Sequence, residues 1–370
     1  MQKTSSGRNR KHMGMAAASV FFLAAGGLLR ALAADLPGFA LFWRERANPF
    51  LVGTLGRFSS LFPFCLAEAL LLMVPCLLIV FTAGCLKRIL KRREEILSFL
   101  RGGFLFALLV LSVIFFLWEA NEDVYFHAPF LGETYGLTSE SYSDEELIRT
   151  CRVLAEEINI CAPEAERDDA GHMVCAPDAG GRVVREMQRL GETWPWLSGY
   201  YPRPKMVFFS RVLSAMHFTG IYSVPTIEGC CNADIPPCSL PFTMAHELSH
   251  LKGVMSEKEA NFIGWIAGFR SSDPDLRYSS ALMGWIYCGN ELYRRDREAF
   301  KKIRSSIPHD ALEDLKYNSD YWKRYEGAVS RKTQEINDLY LKMEGLEEGT
   351  ASYDRVVDMI VTWMKKSGEI

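Results

Sequence analysis

Apolar and polar positions are unevenly distributed along the chain. Three long apolar runs, at residues 16–34, 61–86 and 103–118, fall in its first third, and the remainder mixes polar and apolar positions as a soluble domain does. A bilayer crossing takes about 20 largely apolar residues, so the second run is ample and the third is short but unbroken. The first follows a basic tail (Lys3, Arg8, Arg10, Lys11) and ends near Ala33 and Ala34, as a signal peptide does. It is, however, longer than the apolar core of about 7–15 residues that a cleaved signal carries, and it contains Arg30, which can lay its stem along apolar surface with its head at the interface. An uncleaved span is the favoured reading. The pattern predicts a membrane domain over residues 1–118 with three transmembrane helices, and an extramembrane domain over residues 119–370.

Loops rich in lysine and arginine stay on the cytoplasmic side. The N-terminal tail has four such residues and no acid, and the loop 87–101 has six (Lys87, Arg88, Lys91, Arg92, Arg93, Arg101) against Glu94 and Glu95. The loop 35–60 carries three basic and two acidic residues. Tail and second loop are therefore expected inside, and everything after Trp118 outside. Of 42 basic and 45 acidic residues, 14 and 5 precede Glu119, leaving 28 and 40 in the exported part, a formal charge of −12. So acidic a domain excludes nucleic acid as a partner, since that binding rests on cations neutralising phosphates. With 49% hydrophobic and 24% charged residues, the chain is neither a disordered tail nor a disulfide-stapled miniprotein. Within the second run Glu68 is placed near the outer interface, where reaching water is the favoured reading, and Pro75 is its other unusual residue. Ten cysteines divide as three in that run (Cys65, Cys76, Cys85) and seven outside. An odd number in an oxidising compartment leaves at least one outside any intrachain pairing. Cys230, Cys231 and Cys238 lack the paired CxxC spacing of a structural metal site.

In the exported part, residues 143–157 and 182–190 repeat apolar residues at three- and four-residue spacing between charges, which predicts amphipathic helices. Residues 206–209 read as a short strand, and residues 220–236, with Ile221, Tyr222, Val224, Thr226 and Ile227, as a strand or hairpin. From Phe242 onward the text is helical, broken at Gly253, Asp273-Pro274, Pro308 and residues 345–350. The expected fold is mainly α with a small β-sheet set just before the helix that carries the chemistry.

That helix contains His246-Glu247-Leu248-Ser249-His250. Positions four apart lie one turn apart on the same face, so both histidines can ligate one zinc ion while Glu247 stands beside it as general base. Pro241 suits the first turn and Gly253 the end, giving about a dozen residues. After a turn, Ser256 and Glu259 read as a capping box opening the next helix. With Glu259 so occupied, Glu257 is favoured as third ligand, and Asn261 shares its face as a supporting partner. Two histidines and a carboxylate leave a fourth position for water, the build of a catalytic site. His127, His172 and His309 stand alone. Trp194, Trp196, Tyr200 and Tyr201 read as a loop packed on the core in preference to a cleft lining. Arg294, Arg295, Arg297, Lys301, Lys302 and Arg304 read as a solvated basic face.

The stretch HELSHLKGVMSEKEANF resembles the signature of a family of bacterial membrane proteins known as domain of unknown function 3810. In that family an HExxHxxG helix precedes an ExEANF helix and follows three N-terminal spans. The resemblance extends to GIYSVPTIEGCCNADIPPCSLPFTMA, to RYSSALMGW at residues 277–285, and to NDLYLKMEG and SYDRVVDMI near the C-terminus. The family is similar in turn to gluzincin metallopeptidases, including the membrane-bound group with CAAX prenyl proteases, whose third ligand lies in ExxAD; here Asn261 replaces that aspartate. The resemblance implies a zincin-like ectodomain on a bacterial plasma membrane, a bound Zn2+, and a zinc metallopeptidase acting on peptide or protein substrates, with Glu247 as base toward the zinc-held water. Tyr278, Tyr287, His217, Tyr353 and Arg355 are the candidate oxyanion donors. Zincins pair extended substrates with a strand edge, and residues 228–235, with Asn232 and Pro236, are expected to supply it. The competing reading is a catalytically inactive metal-binding scaffold or partner-binding ectodomain. Intramembrane proteolysis is disfavoured by Lys252, Lys258 and the polar text around the motif.

Overall fold

A computed structural model of the protein describes residues 2–91, 96–135, 141–343 and 356–370. The chain divides into two units. The smaller comprises residues 1–43, 66–128 and 224–226, the larger residues 44–65, 129–223 and 227–370.

The smaller unit is built on three helices long and apolar enough to cross a bilayer: α1 (Gln2–Asp35), α2 (Leu66–Lys91) and α3 (Ile96–Trp118), the last continuing through a π-helical turn to Phe126. The α2 helix begins later than the apolar run suggests. Pro63 lacks a backbone N–H, so residues 60–65 turn and the helix starts beyond them. Helix α1 lies close on α3: a Cβ at Gly26 would come within 2.7 Å of the Phe115 ring, and the Phe22 and Phe116 rings are 5.6 Å apart. Arg30 does more than reach for an interface. Its guanidinium lies 3.6 Å from both Glu119 and Asp123, two acids buried at the end of α3.

The larger unit is mainly helical around a small sheet. In order come α4 (Asp144–Cys161), α5 (Ala179–Thr193), β1 (Lys205–Val207), α6 (Ser210–Ala215), β2 (Gly220–Ser223) and β3 (Glu228–Asn232). Then follow α7 (Leu240–Leu251), α8 (Glu257–Gly268), α9 (Pro274–Arg295), α10 (Arg297–Arg304), α11 (His309–Lys323), α12 (Ala328–Met343) and α13 (Val356–Ser367). The α4 start is a complete capping box: Ser143 Oγ accepts from the Glu146 N–H, and the Glu146 carboxylate accepts from the Ser143 N–H.

Strands β2 and β3 form the expected hairpin, but the sheet order is β1-β3-β2. Strand β3 is the middle strand, parallel to β1 and antiparallel to β2, with all five residues buried. The expectation of an open edge at residues 228–235 is therefore overturned: β1, contributed from before the hairpin, closes that side. Asn232 is spent on structure, its N–H donating to Thr219 O and its Nδ2 to Ser214 Oγ and Phe218 O.

Helix α7 is the axis of the core. Every residue from Pro241 to Leu251 is buried, because α8, α9, α5 and the sheet surround it. Phe262, Trp265 and Leu248 on these elements are fully buried, and the Trp194 and Phe262 rings lie 6.5 Å apart. A second anchor is polar. Asp314 of α11, only 1% exposed, accepts from Arg167 Nη1 at 2.9 Å, from the Tyr278 hydroxyl at 2.7 Å and from the Met173 N–H at 3.0 Å. Of the basic positions in the last turn of α9 and in α10, Arg294 and Arg295 pair with Glu291, and Lys301 with Glu298.

Breaking a buried ion pair from one side strands the other charge. Replacing Asp314 with alanine is thus expected to destabilise the protein by about 3–5 kcal/mol, read as a lowered thermal midpoint in detergent; an unchanged midpoint would show the network to be dispensable.

Candidate metal centre

Helix α7 runs from Leu240 to Leu251, twelve residues, with Pro241 in its first turn. Gly253 ends it in the left-handed conformation (φ 80°), donating its N–H to His250 O at 2.8 Å while the Val254 N–H reaches back to Ser249 O at 3.3 Å. This turn has a second effect. It brings the Val254 carbonyl to 2.6 Å from His250 Nδ1. A carbonyl only accepts, so Nδ1 carries the proton and Nε2 of the neutral ring presents a lone pair. Outer partners of this kind orient metal-ligating histidines.

The two Nε2 atoms lie 3.0 Å apart. Glu257, first residue of α8, adds its carboxylate: Oε2 is 3.4 Å from His246 Nε2 and Oε1 is 3.8 Å from His250 Nε2. These donor atoms lie within 4.8 Å of one another and could hold a metal ion. Tetrahedral ligands about 2.0–2.1 Å from a centre are about 3.3 Å apart, so the three separations have the right scale for one shared cation. Two lone pairs facing at this distance repel unless a proton or a cation lies between them. Burial pulls His250 down to about 4, against the opposing charge of Glu257. Burial also acts downward on His246, but hydrogen bonding and charge from Glu257, with Glu247 beside it, raise it overall.

Glu247 is 3% exposed, and its Oε2 has no hydrogen-bond partner among the described residues. Burial pushes its carboxyl up to about 8, with His246 opposing and Glu257 reinforcing. Two glycines let the sheet close over this side chain: a Cβ at Gly220 would stand 2.5 Å from Glu247 Oε1, and one at Gly229 would stand 3.3 Å from Glu247 Cβ. Both glycines, and the Val254 carbonyl, escape a motif-based reading. The signal available for them is the placement of glycine at the start of β2 and inside β3.

The structure brings together His246, Glu247, His250 and Glu257. Asn261, one turn beyond Glu257, is among the groups that favour a proton on His246, though neither its Nδ2 nor His246 Nδ1 makes a well-formed hydrogen bond. Glu257, and not Glu259, lies with the two histidines, and the expected capping box does not form: Ser256 makes no side-chain cap. Glu259 instead accepts from the Leu131 N–H at 2.6 Å, a tertiary contact 128 residues away in sequence.

Of the candidate oxyanion donors, Tyr278 is committed elsewhere, its hydroxyl donating to Asp314 and accepting from Arg167. Tyr287 lies 6.2 Å from the Phe242 ring, which is itself 6.4 Å from that of His246. His217, in a left-handed conformation (φ 62°), packs 5.2 Å from the Trp322 ring with its Nε2 buried and without a hydrogen-bond partner among the described residues. Tyr353 and Arg355 lie outside the described residues. His127 meets the Asp123 carbonyl, His172 stacks 4.2 Å from Tyr317, and exposed His309 faces Glu313. Tyr201 donates to Leu197 O and lies under the Lys252 ammonium, 4.1 Å away, as a packed loop requires.

A second group with ligand chemistry is Cys65, Glu228 and Cys230. Cys65 was expected inside the second span; it precedes α2 and is buried in the larger unit.

No curated protein and no solved structure matches the chain. A family profile described as "Protein of unknown function (DUF3810)" matches residues 43–361, which covers the candidate metal centre, the sheet and two of the three apolar helices. The chain belongs to that family.

Proposed function

We propose that the protein is a membrane-anchored zinc metallopeptidase of gluzincin-like construction, cutting peptide bonds outside the cytoplasm of a bacterial cell. The observation that carries this reading is the meeting of His246, His250 and Glu257 on one point, with the unpartnered carboxylate oxygen of Glu247 beside it. A set of two imidazoles and one carboxylate, with room for a fourth ligand, is the donor chemistry of a catalytic zinc site.

His246, His250 and Glu257 would hold the ion. When bound, zinc polarises a carbonyl and acidifies a water at neutral pH. Glu247 takes the proton from the attacking water and returns it to the leaving amine, a role that suits a carboxyl whose proton affinity burial has raised toward neutrality. The Val254 carbonyl holds the His250 ring and its tautomer. Strand β2 lies at a sheet edge and starts at Gly220 against Glu247, so an extended peptide added to that edge passes the base. The net negative charge of the exported part favours substrates without dense negative charge.

Glu247→Gln keeps the shape of the side chain and removes the base. The variant is expected to retain metal and to lose about 10²–10⁴-fold in peptide hydrolysis; equal activity in variant and parent across a peptide library would favour the scaffold reading. Gly220→Ala places a methyl against the Glu247 carboxylate and is expected to lower kcat by about 10²-fold, with metal content unchanged. Unaltered kcat would show that β2 does not position Glu247. Gly253→Ala forces a left-handed alanine at a cost of about 1–2 kcal/mol. By disturbing the turn that sets the Val254 carbonyl it should weaken metal retention about 10–100-fold in a chelator competition, and undiminished retention would separate the turn from the site.

A further inference from the structure

The segment just before α2 meets the middle strand of the sheet through two sulfur atoms. Cys65 Sγ and Cys230 Sγ are 2.8 Å apart, and the two side chains belong to residues 3% and 1% exposed. That separation is within about 0.8 Å of the S–S bond length of about 2.0 Å. The surroundings already hold the two segments in register. Lys205, paired with Cys230 across β1 and β3, donates its Nζ to Ser59 O at 2.7 Å, and the Tyr200 hydroxyl donates to Ser60 Oγ at 2.8 Å. Arg57 lies over the Tyr200 ring at 4.2 Å. Successive strand residues point to opposite faces, which directs Cys230, and not Cys231, at this segment.

We propose that Cys65 and Cys230 are joined by a disulfide in the exported protein. Two S–H bonds and the S–S bond of a thiol-oxidising partner break and one S–S bond forms; the two electrons and the two protons pass to the partner, which leaves as a dithiol. The facing thiol of Cys65, and then burial, hold the Cys230 thiol far above its ordinary range, so the thiolate that attacks is available only before the strand closes over it. The bond thus belongs to folding, and it is structural, not a switch. It fastens the last residue before a membrane helix to the strand whose Gly229 backs onto Glu247, and it spans 165 positions in sequence, a long loop of the kind whose closure restricts the unfolded chain strongly. A metal shared by Cys65, Cys230 and Glu228 is disfavoured, because the Glu228 carboxylate already pairs with the Lys205 ammonium, which would repel a divalent cation.

The test is alkylation of the full chain in its membrane under denaturing, non-reducing conditions, followed by peptide mapping. The peptides carrying Cys65 and Cys230 are expected as one cross-linked species, while buried Cys151, Cys161 and Cys288 are alkylated as thiols. Cys231 is adjacent to Cys230, so the link is assigned with two variants: it should persist in Cys231→Ala and vanish in Cys230→Ala. Reductant should also lower the thermal midpoint of the parent by about 5 °C or more. Full alkylation of both Cys65 and Cys230 in the parent overturns the proposal. So does protection that ends on adding a chelator and leaves no cross-link, which would assign the pair to a metal instead. Mapping of the parent decides the matter even where a variant fails to fold, and it is independent of whether Glu247 supports hydrolysis.

Discussion

Two imidazole nitrogens held 3.0 Å apart inside a protein need something between them, and helix α7, its closing turn and the start of α8 meet at that constraint. One helical turn sets the spacing of His246 and His250. The turn after the helix sets the direction of the second ring, since the Val254 carbonyl claims Nδ1 and leaves Nε2 facing its partner. Glu257, opening the following helix, brings negative charge to the same point. A buried cluster with this composition is costly without a cation or a shared proton, because burial penalises each ionised group. That cost lowers His250 and raises Glu247, while the hydrogen bonding and charge of Glu257 raise His246 against it.

The packing around α7 serves to keep this arrangement rigid. The helix is buried from Pro241 to Leu251, so neither histidine can swing to water. Strand β3 lies against it as the middle strand of the sheet, and the absence of side chains at Gly229 and Gly220 brings backbone to within contact of Glu247. Asp314 ties α11, Tyr278 of α9 and the loop containing Arg167 and Met173 into one piece at another point of the core. For the proposed hydrolysis such precision matters: a positioned base is effective only when its carboxylate is held near the atom it deprotonates.

Much of the site is legible in the sequence because its determinants are local. The spacing of His246 and His250, the proline and glycine bounding their helix, and the proximity of Glu257 in the chain all act within a dozen or so residues. The strand pair 220–236 announces itself by β-branched and aromatic residues flanking a turn. What escapes a linear reading depends on distant partners. Glu259 has the spacing of a cap but is taken by the Leu131 N–H; Tyr278 has the chemistry of a donor but is taken by Asp314. Strand β3 has the composition of an edge, yet β1 arrives from earlier in the chain to cover it. Cys65 sits in an apolar run, but Pro63 delays the helix and leaves the cysteine with the sheet.

The proposed metal centre requires that His246, His250 and Glu257 jointly bind one metal ion. X-ray absorption at the zinc edge on the full chain, purified in detergent without added metal, tests it most directly. About one zinc per chain is expected, bound by two imidazole nitrogens and by carboxylate and water oxygens at about 2.0–2.2 Å, with no sulfur scattering. Protein that binds no zinc when supplied with it, or zinc ligated by sulfur, would contradict the account.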